Sequence, residues 1–269
     1  MPTLKSLRIA AESGGPPFAC LTCYDATTAR WLARAGVPVL LVGDTAAEVV
    51  LGFDRTIDMP MDIAVALTAA VKRGAPECVV MADMPFMSYH ADDADAIRNA
   101  GRFLVEGKAD IVKLEADASF APLVAKMVRA GIPICGHVGS RPQRAAITSG
   151  YVAAGKTAGD AEQIVHDAIA LEQAGCSMLL IEAVPESVTA AVLAKTRVPL
   201  IGIGAGNACH GQVLVLHDLL GLTDNPPKFA QPAAQLGKAI EDAGRAWVET
   251  VANRQVRGSS GNAPRNAST

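Results

Sequence analysis

Cys78-Val79-Val80-Met81-Ala82-Asp83 reads as a buried strand closed by a carboxylate: five apolar residues, then an acid, then the break at Met84-Pro85. A continuous apolar run is what a strand covered on both faces shows, and parallel sheets under helices are built from such strands. The same arrangement recurs along the chain. Val39-Leu40-Leu41-Val42-Gly43 ends on Asp44, Ile111-Val112-Lys113-Leu114 ends on Glu115, and Met178-Leu179-Leu180-Ile181 ends on Glu182. Acids at the carboxyl ends of parallel strands stand where α/β enzymes keep their chemistry.

Working outward from these four runs, the periodicity predicts strands near 18–23, 39–43, 78–83, 111–115, 133–137, 178–182, 199–204 and 213–217. Helical stretches separate most of them. Asp25 is placed to cap a helix that stops at Gly36, and Pro60 opens one that runs to Arg73 and Gly74. Ala-rich stretches at 93–109 and 160–174 fill two further gaps. Eight strands alternating with helices give a (β/α)8 barrel, here expected over residues 1–257 as one catalytic domain. One connection, Gly204 to Val213, is too short for a full helix, which keeps a doubly wound sheet in view. A leading helix from Thr3 to Glu12 is expected to plug the amino-terminal face. Residues 258–269 carry nothing to bury and are expected to be disordered.

Half of the 269 residues are hydrophobic and only 4% aromatic, so the core rests on Ala, Val, Leu and Ile. A net charge of −3 gives no support for nucleic-acid binding, and no basic run argues for a membrane surface. The amino terminus lacks a signal-peptide pattern and no apolar stretch approaches a spanning helix, so a cytoplasmic protein is expected. Cys20-Leu21-Thr22-Cys23 has no second pair and no metal-spaced His, and reads as core thiols on a strand.

Two aspartates, two glutamates and Lys113 thus converge on one mouth. Such a cluster is costly without a compensating cation. The ligand candidates are all oxygens, which selects a hard ion, Mg2+ first. A site with two or three carboxylates leaves positions for the keto and carboxylate oxygens of a 2-oxo acid, and the ion then stabilises an enolate. Lys113 supplies positive charge for the substrate carboxylate, and Glu182 is the free base. Each residue also has a plainer reading. Asp44, Asp83 and Glu182 could cap helices, while Lys113 and Glu115, two apart on one strand, could form a structural ion pair. Gly202-Ile203-Gly204-Ala205-Gly206 lacks dinucleotide spacing and reads as a tight strand-end turn lining the mouth. His137 is placed to face the mouth, whereas His166 and His217 read as surface or packing residues.

These residues lie in segments that resemble the ketopantoate hydroxymethyltransferase family. Leu21-Thr22-Cys23-Tyr24-Asp25, Leu41-Val42-Gly43-Asp44-Thr45, Lys72-Arg73-Gly74-Ala75-Pro76, the block from Ala82 to Tyr89, Val112 to Glu115, Gly136 to Gly139, Ile201 to Gly206 and Gly211 to Gly221 carry the likeness, in order, over residues 3 to 222. The resemblance implies a barrel of the phosphoenolpyruvate/pyruvate superfamily, Mg2+, and one-carbon transfer from 5,10-methylenetetrahydrofolate to 3-methyl-2-oxobutanoate, giving 2-dehydropantoate for pantothenate and coenzyme A. By position it implies Asp44, Asp83 and Glu115 around the metal, Asp44, Thr45, Asp83 and Lys113 on the keto acid, Glu182 as proton acceptor, and a homodecamer. The chain departs from the family pattern in four places. Thr45 replaces Ser, Ala116-Asp117 replaces two glycines, Ser140-Arg141 replaces Leu-Thr, and His210 replaces Asp. Two other readings stay open at this point: a superfamily carbon–carbon lyase acting on a 2-oxo or 2-hydroxy diacid, and an inactive keto-acid-binding paralogue.

Overall fold

A computed structural model describes residues 1–148 and 150–256. The expectation for residues 258–269 lies outside the described residues. Eight parallel strands close in sequence order: β1 (Phe18–Thr22), β2 (Val39–Val42), β3 (Val79–Asp83), β4 (Ile111–Glu115), β5 (Ile134–Gly139), β6 (Met178–Glu182), β7 (Leu200–Ile203) and β8 (Gly211–Leu214). Closure, with β8 paired to β1 from Phe18 against Gly211, removes the doubly wound alternative. The connections carry α1 (Leu4–Glu12) before the barrel, then α2 (Ala26–Arg34), α3 (Ala46–Val49), α4 (Met61–Gly74), α5 (Asp93–Val105), α6 (Ala121–Arg129), α7 (Ala145–Thr148), α8 (Ala158–Gln173) and α9 (Glu186–Leu193). No helix separates β7 from β8, as the short connection requires.

Alternation along each strand divides the core in two. Outward residues such as Leu40, Val80, Leu114 and Leu179 pack against Phe103, Met127 and Leu171 of the surrounding helices. Inward residues such as Val39, Met81, Ile111, Cys135, Met178 and Ile201 fill the barrel itself. Leu7 of α1 belongs to that inner cluster, so the leading helix does plug the amino-terminal end. Its start is fixed by a capping box in which Thr3 and Ser6 bond reciprocally.

Helix boundaries follow local chemistry. Asp25 caps α2 through Thr27 N and Thr28 N, and Asp92 caps α5 through Ala94 N and Asp95 N. Pro60 sits one residue before α4 rather than inside it. Gly74 ends α4 in close contact with α2, where a Cβ would lie 2.2 Å from Ala26 O. α5 stops at Val105, four residues short of the predicted end.

A second compact unit begins at His217. It holds most of α10 (Leu216–Leu219) and all of α11 (Leu236–Ala252). α11 is amphipathic, with Leu236, Ile240, Trp247 and Val251 on one face and exposed.

Candidate active site

The alternation that fills the barrel with apolar side chains also sets its upper layer. β3 points Val79, Met81 and Asp83 inward, β4 points Ile111, Lys113 and Glu115, and β6 points Met178, Leu180 and Glu182. Register places Asp83 beside Lys113 and Glu115 beside His137. Asp44 follows the end of β2. Asp44, Asp83, Lys113, Glu115 and His137 are all buried, while the Glu182 side chain keeps 23% exposure. Gly139 lets β5 pass this acid: at φ 90°, a Cβ there would stand 2.6 Å from Glu182 O.

Lys113 Nζ lies 2.8 Å from Asp83 Oδ2, and the same oxygen accepts from Asp44 N at 3.3 Å. Asp83 Oδ1 is buried without a hydrogen-bond partner. Gln143, in a 3-10 turn spanning Pro142–Arg144, donates from Nε2 to Asp44 Oδ2 at 2.9 Å and to Met84 O at 3.0 Å. Its backbone N–H meets both Glu115 oxygens, at 3.2 and 3.1 Å. Tyr89 OH donates to Gln143 Oε1 at 2.7 Å, and Tyr24 OH shares a hydrogen bond with Thr45 Oγ1 at 2.7 Å.

Lys113 Nζ is also 3.4 Å from His137 Nδ1. An ammonium only donates, so Nδ1 accepts and the neutral ring carries its proton on Nε2. That nitrogen faces Glu182 Oε2 at 3.4 Å, without the alignment of a full hydrogen bond. Burial, reinforced by Lys113, holds the His137 pKa down, in keeping with a neutral ring.

Two acids are pushed the other way. Burial, and then the charge of Asp83, pushes Asp44 up to about 8. Burial and Asp44 together raise Glu115 well above the usual carboxylate range. Burial pulls the Lys113 pKa down, but Asp83, Asp44 and Glu115 outweigh it and raise it above the usual lysine value, so it stays charged. One ammonium thus serves three carboxylates. The cluster is short of positive charge, and Asp83 Oδ1 is short of a partner. Both features fit a hard cation between Asp44 and Asp83. Among the described residues, no group of three or more His, Cys, Asp or Glu side chains is arranged to hold a metal ion. Glu115 is instead turned to the Gln143 N–H.

The plainer readings fare unevenly. Asp44 and Asp83 cap nothing: α3 has Thr45 as its N-cap and no side-chain cap, and α5 is capped by Asp92. The Lys113 ion pair exists, but with Asp83 on the neighbouring strand rather than with Glu115 on its own. Cys20 and Cys23 are free and buried. Gly204 and Gly206 both take positive φ in the turn after β7, and His166 is exposed. Two departures from the family pattern meet: Arg141 Nη1 is 2.7 Å from Asp117 Oδ2 across the loops after β4 and β5. Gln143, Tyr89 and Tyr24 went unassigned in the sequence. The two tyrosines lie within the family-like segments, which was the available signal. Gln143 follows the departure at Ser140-Arg141 and had none.

Comparison with known proteins gives the family. Residues 2–256 match the family model described as ketopantoate hydroxymethyltransferase. A 3-methyl-2-oxobutanoate hydroxymethyltransferase of Syntrophobacter fumaroxidans is 47% identical over 246 residues, covering 91% of this chain and 87% of the relative. That of Carboxydothermus hydrogenoformans is 44% identical, covering 94% and 92%. Among solved structures, a phosphonopyruvate hydrolase superposes with a TM-score of 0.65 at 13% identity, covering 98% of this chain and 92% of that one. A 2,3-dimethylmalate lyase of the PEP mutase/isocitrate lyase superfamily gives 0.61 at 18% identity, covering 97% and 92%. These two likenesses concern the fold alone.

Proposed function

The chain belongs to the ketopantoate hydroxymethyltransferase family, and on that premise we propose that it transfers a hydroxymethyl group from 5,10-methylenetetrahydrofolate to 3-methyl-2-oxobutanoate, giving 2-dehydropantoate for pantothenate and coenzyme A synthesis. One observation carries the reading: a partly exposed acid, Glu182, is linked through His137 and Lys113 to the buried Asp83, which holds an unpartnered oxygen. Proton removal next to a carbonyl needs a base that exchanges with solvent and a separate group that stabilises the enolate. The barrel mouth separates those two tasks.

Asp44 and Asp83 are the residues to hold Mg2+, with Glu115 at one remove because its oxygens face Gln143. When bound, the ion supplies Lewis-acid stabilisation of the enolate oxygen. Lys113, kept charged by its neighbours, offers the keto acid carboxylate a cation, and the Thr45 hydroxyl, oriented by Tyr24, offers it a hydrogen bond. Glu182 takes the proton from C3. His137 is the weaker candidate for that step, since its Nδ1 lone pair faces an ammonium and its Nε2 carries the hydrogen. In the net transfer the C3 carbanion bonds to the folate methylene carbon, and that carbon gives up both of its C–N bonds and takes the oxygen of one water as its hydroxyl. The C3 proton with the two water hydrogens is shared between that hydroxyl and the two nitrogens of departing tetrahydrofolate.

No helix among the described residues is long and apolar enough to cross a membrane. The cytoplasm as compartment rests on the sequence pattern alone and a homodecamer as assembly on the family resemblance, and the exposed apolar residues of α11 support association.

Hydrogen exchange without folate tests the chemical step. With Mg2+, the wild-type protein is expected to exchange the C3 hydrogen of 3-methyl-2-oxobutanoate for solvent deuterium. Glu182→Gln keeps size but loses the base, and exchange is expected to slow roughly 10²–10⁴-fold. Wild-type exchange in that variant would move the base elsewhere.

A further inference from the structure

Gln143 is a neutral side chain in a site of charges, and it touches more of that site than a surface loop residue has reason to. It is buried, and its carboxamide is fully used: both amide hydrogens are taken, by Asp44 Oδ2 and Met84 O, and its carbonyl accepts from Tyr89 OH. These partners fix which way the amide faces. Reversed, its oxygen would meet a carboxylate and a carbonyl, both acceptors, and its NH2 would lose them. Pro142 has no N–H to give, so the Gln143 N–H is the first free donor of its turn, and it is spent on Glu115.

We propose that Gln143 is a positioning residue that divides the work between the acids. It occupies one oxygen of Asp44 and so presents the other to the cation, and it holds Glu115 back from direct ligation. Tyr89 acts through it by orienting the amide. The role rests on the cation reading above, although neither Gln143 nor Tyr89 is itself a ligand in that reading. Groups that orient a metal's ligands typically change its affinity by about 10–100-fold when removed.

The test is Mn2+ binding, followed by calorimetry and by the spin resonance of the bound ion, on purified full-length protein. Gln143→Met keeps the length of the side chain and the backbone N–H but removes both side-chain donors. Its Mn2+ affinity is expected to fall about 10–100-fold, with the melting transition still cooperative and turnover largely restored at saturating Mn2+. Tyr89→Phe is expected to fall by a smaller factor, about 3-fold, and by less still in the Gln143→Met background, because the shorter of its two hydrogen bonds, 2.7 Å to the amide against 3.1 Å to Glu115 O, is the one that acts through Gln143. Asp44→Ala is the reference and should lose the site. A folded Gln143→Met that binds Mn2+ as wild type, while Asp44→Ala does not, overturns the positioning role and leaves the cation reading standing. Wild-type affinity in both overturns the two together. If Gln143→Met does not fold, Tyr89→Phe decides: unchanged affinity there overturns the role.

Discussion

The lower and upper halves of the barrel interior are made by the same strands, two residues apart, and they have opposite chemistry. In β3 the inward positions run Val79, Met81, Asp83, and in β4 they run Ile111, Lys113, Glu115. The lower residues join one apolar cluster sealed by Leu7. The upper ones leave three carboxylates around a single ammonium and an acid oxygen with no partner. Burying apolar surface stabilises the fold by about 25 cal/mol per Å², whereas burying unbalanced charge costs stability. The lower layer therefore supports an upper layer that is poorly stable by itself, which is the property the proposed cation site rests on.

Exchanging residues between the two layers should break this division if it is false. The largest effect is expected at Asp83→Ala, which should lose Mn2+ binding and turnover together, by more than the ~100-fold upper end seen for groups beside a metal's ligands. Retained affinity by calorimetry would refute a role for the upper layer in holding the ion.

One layer down, Met81→Ala opens a cavity where the side chain is wholly buried, and about 2–5 kcal/mol of stability should be lost in denaturant titrations. Turnover per folded molecule is expected to hold. A drop comparable with that of Asp83→Ala would mean the layers are not separable.

Lys113→Met probes the charge count. Loss of a charge-assisted contact worth about 1.5–3 kcal/mol should weaken keto acid binding roughly 10–100-fold and leave folate binding nearly unchanged. Equal losses for both ligands would assign Lys113 to its ion pair with Asp83 alone.

The smallest effect is a slope. The Asp44 proton is held from 3.8 up to about 8 in the folded chain, so the stability tied to that proton is present at low pH and lost as pH rises through this window. Metal-free protein is expected to lose melting temperature against Asp44→Asn between about pH 5 and about pH 8, and Mg2+ to remove the difference. Parallel curves for the two proteins would show that the upper layer is not strained by its charges.

The barrel and its acids were legible because both follow from short-range pattern. An apolar run ending in a carboxylate names a strand and the residue at its mouth at once, and Lys113 and Glu115, two apart, had to share a face. Closure was legible from the strand count. Gln143 was not, because a neutral amide in a loop has no periodicity, and its partner Asp44 is 99 residues away in sequence. Helix ends were read less well than strands. α5 is predicted to run to Ala109 although it stops at Val105, and Gly107, two residues past that end, is the stop signal left unread. The ion pairing of Lys113 with Asp83 rather than Glu115 is set by register between strands, which one strand's sequence does not contain.

The Asp117–Arg141 contact makes two loops of the mouth interdependent. Both residues depart from the pattern that the sequence resembles, and the two are not equivalent when taken alone. Asp117 adds a negative charge beside a mouth already crowded with acids, yet its carboxylate is held 2.7 Å from Arg141 Nη1 and also caps the following turn through Ser119 N. Without Asp117, the Arg141 guanidinium could turn to water at little cost, whereas without Arg141 the Asp117 carboxylate would stand at the rim with no cation beside it. The coupling between the two loops is therefore expected to be lopsided: Arg141→Thr should disturb the mouth more than Asp117→Gly, and the double change less than the sum of the two.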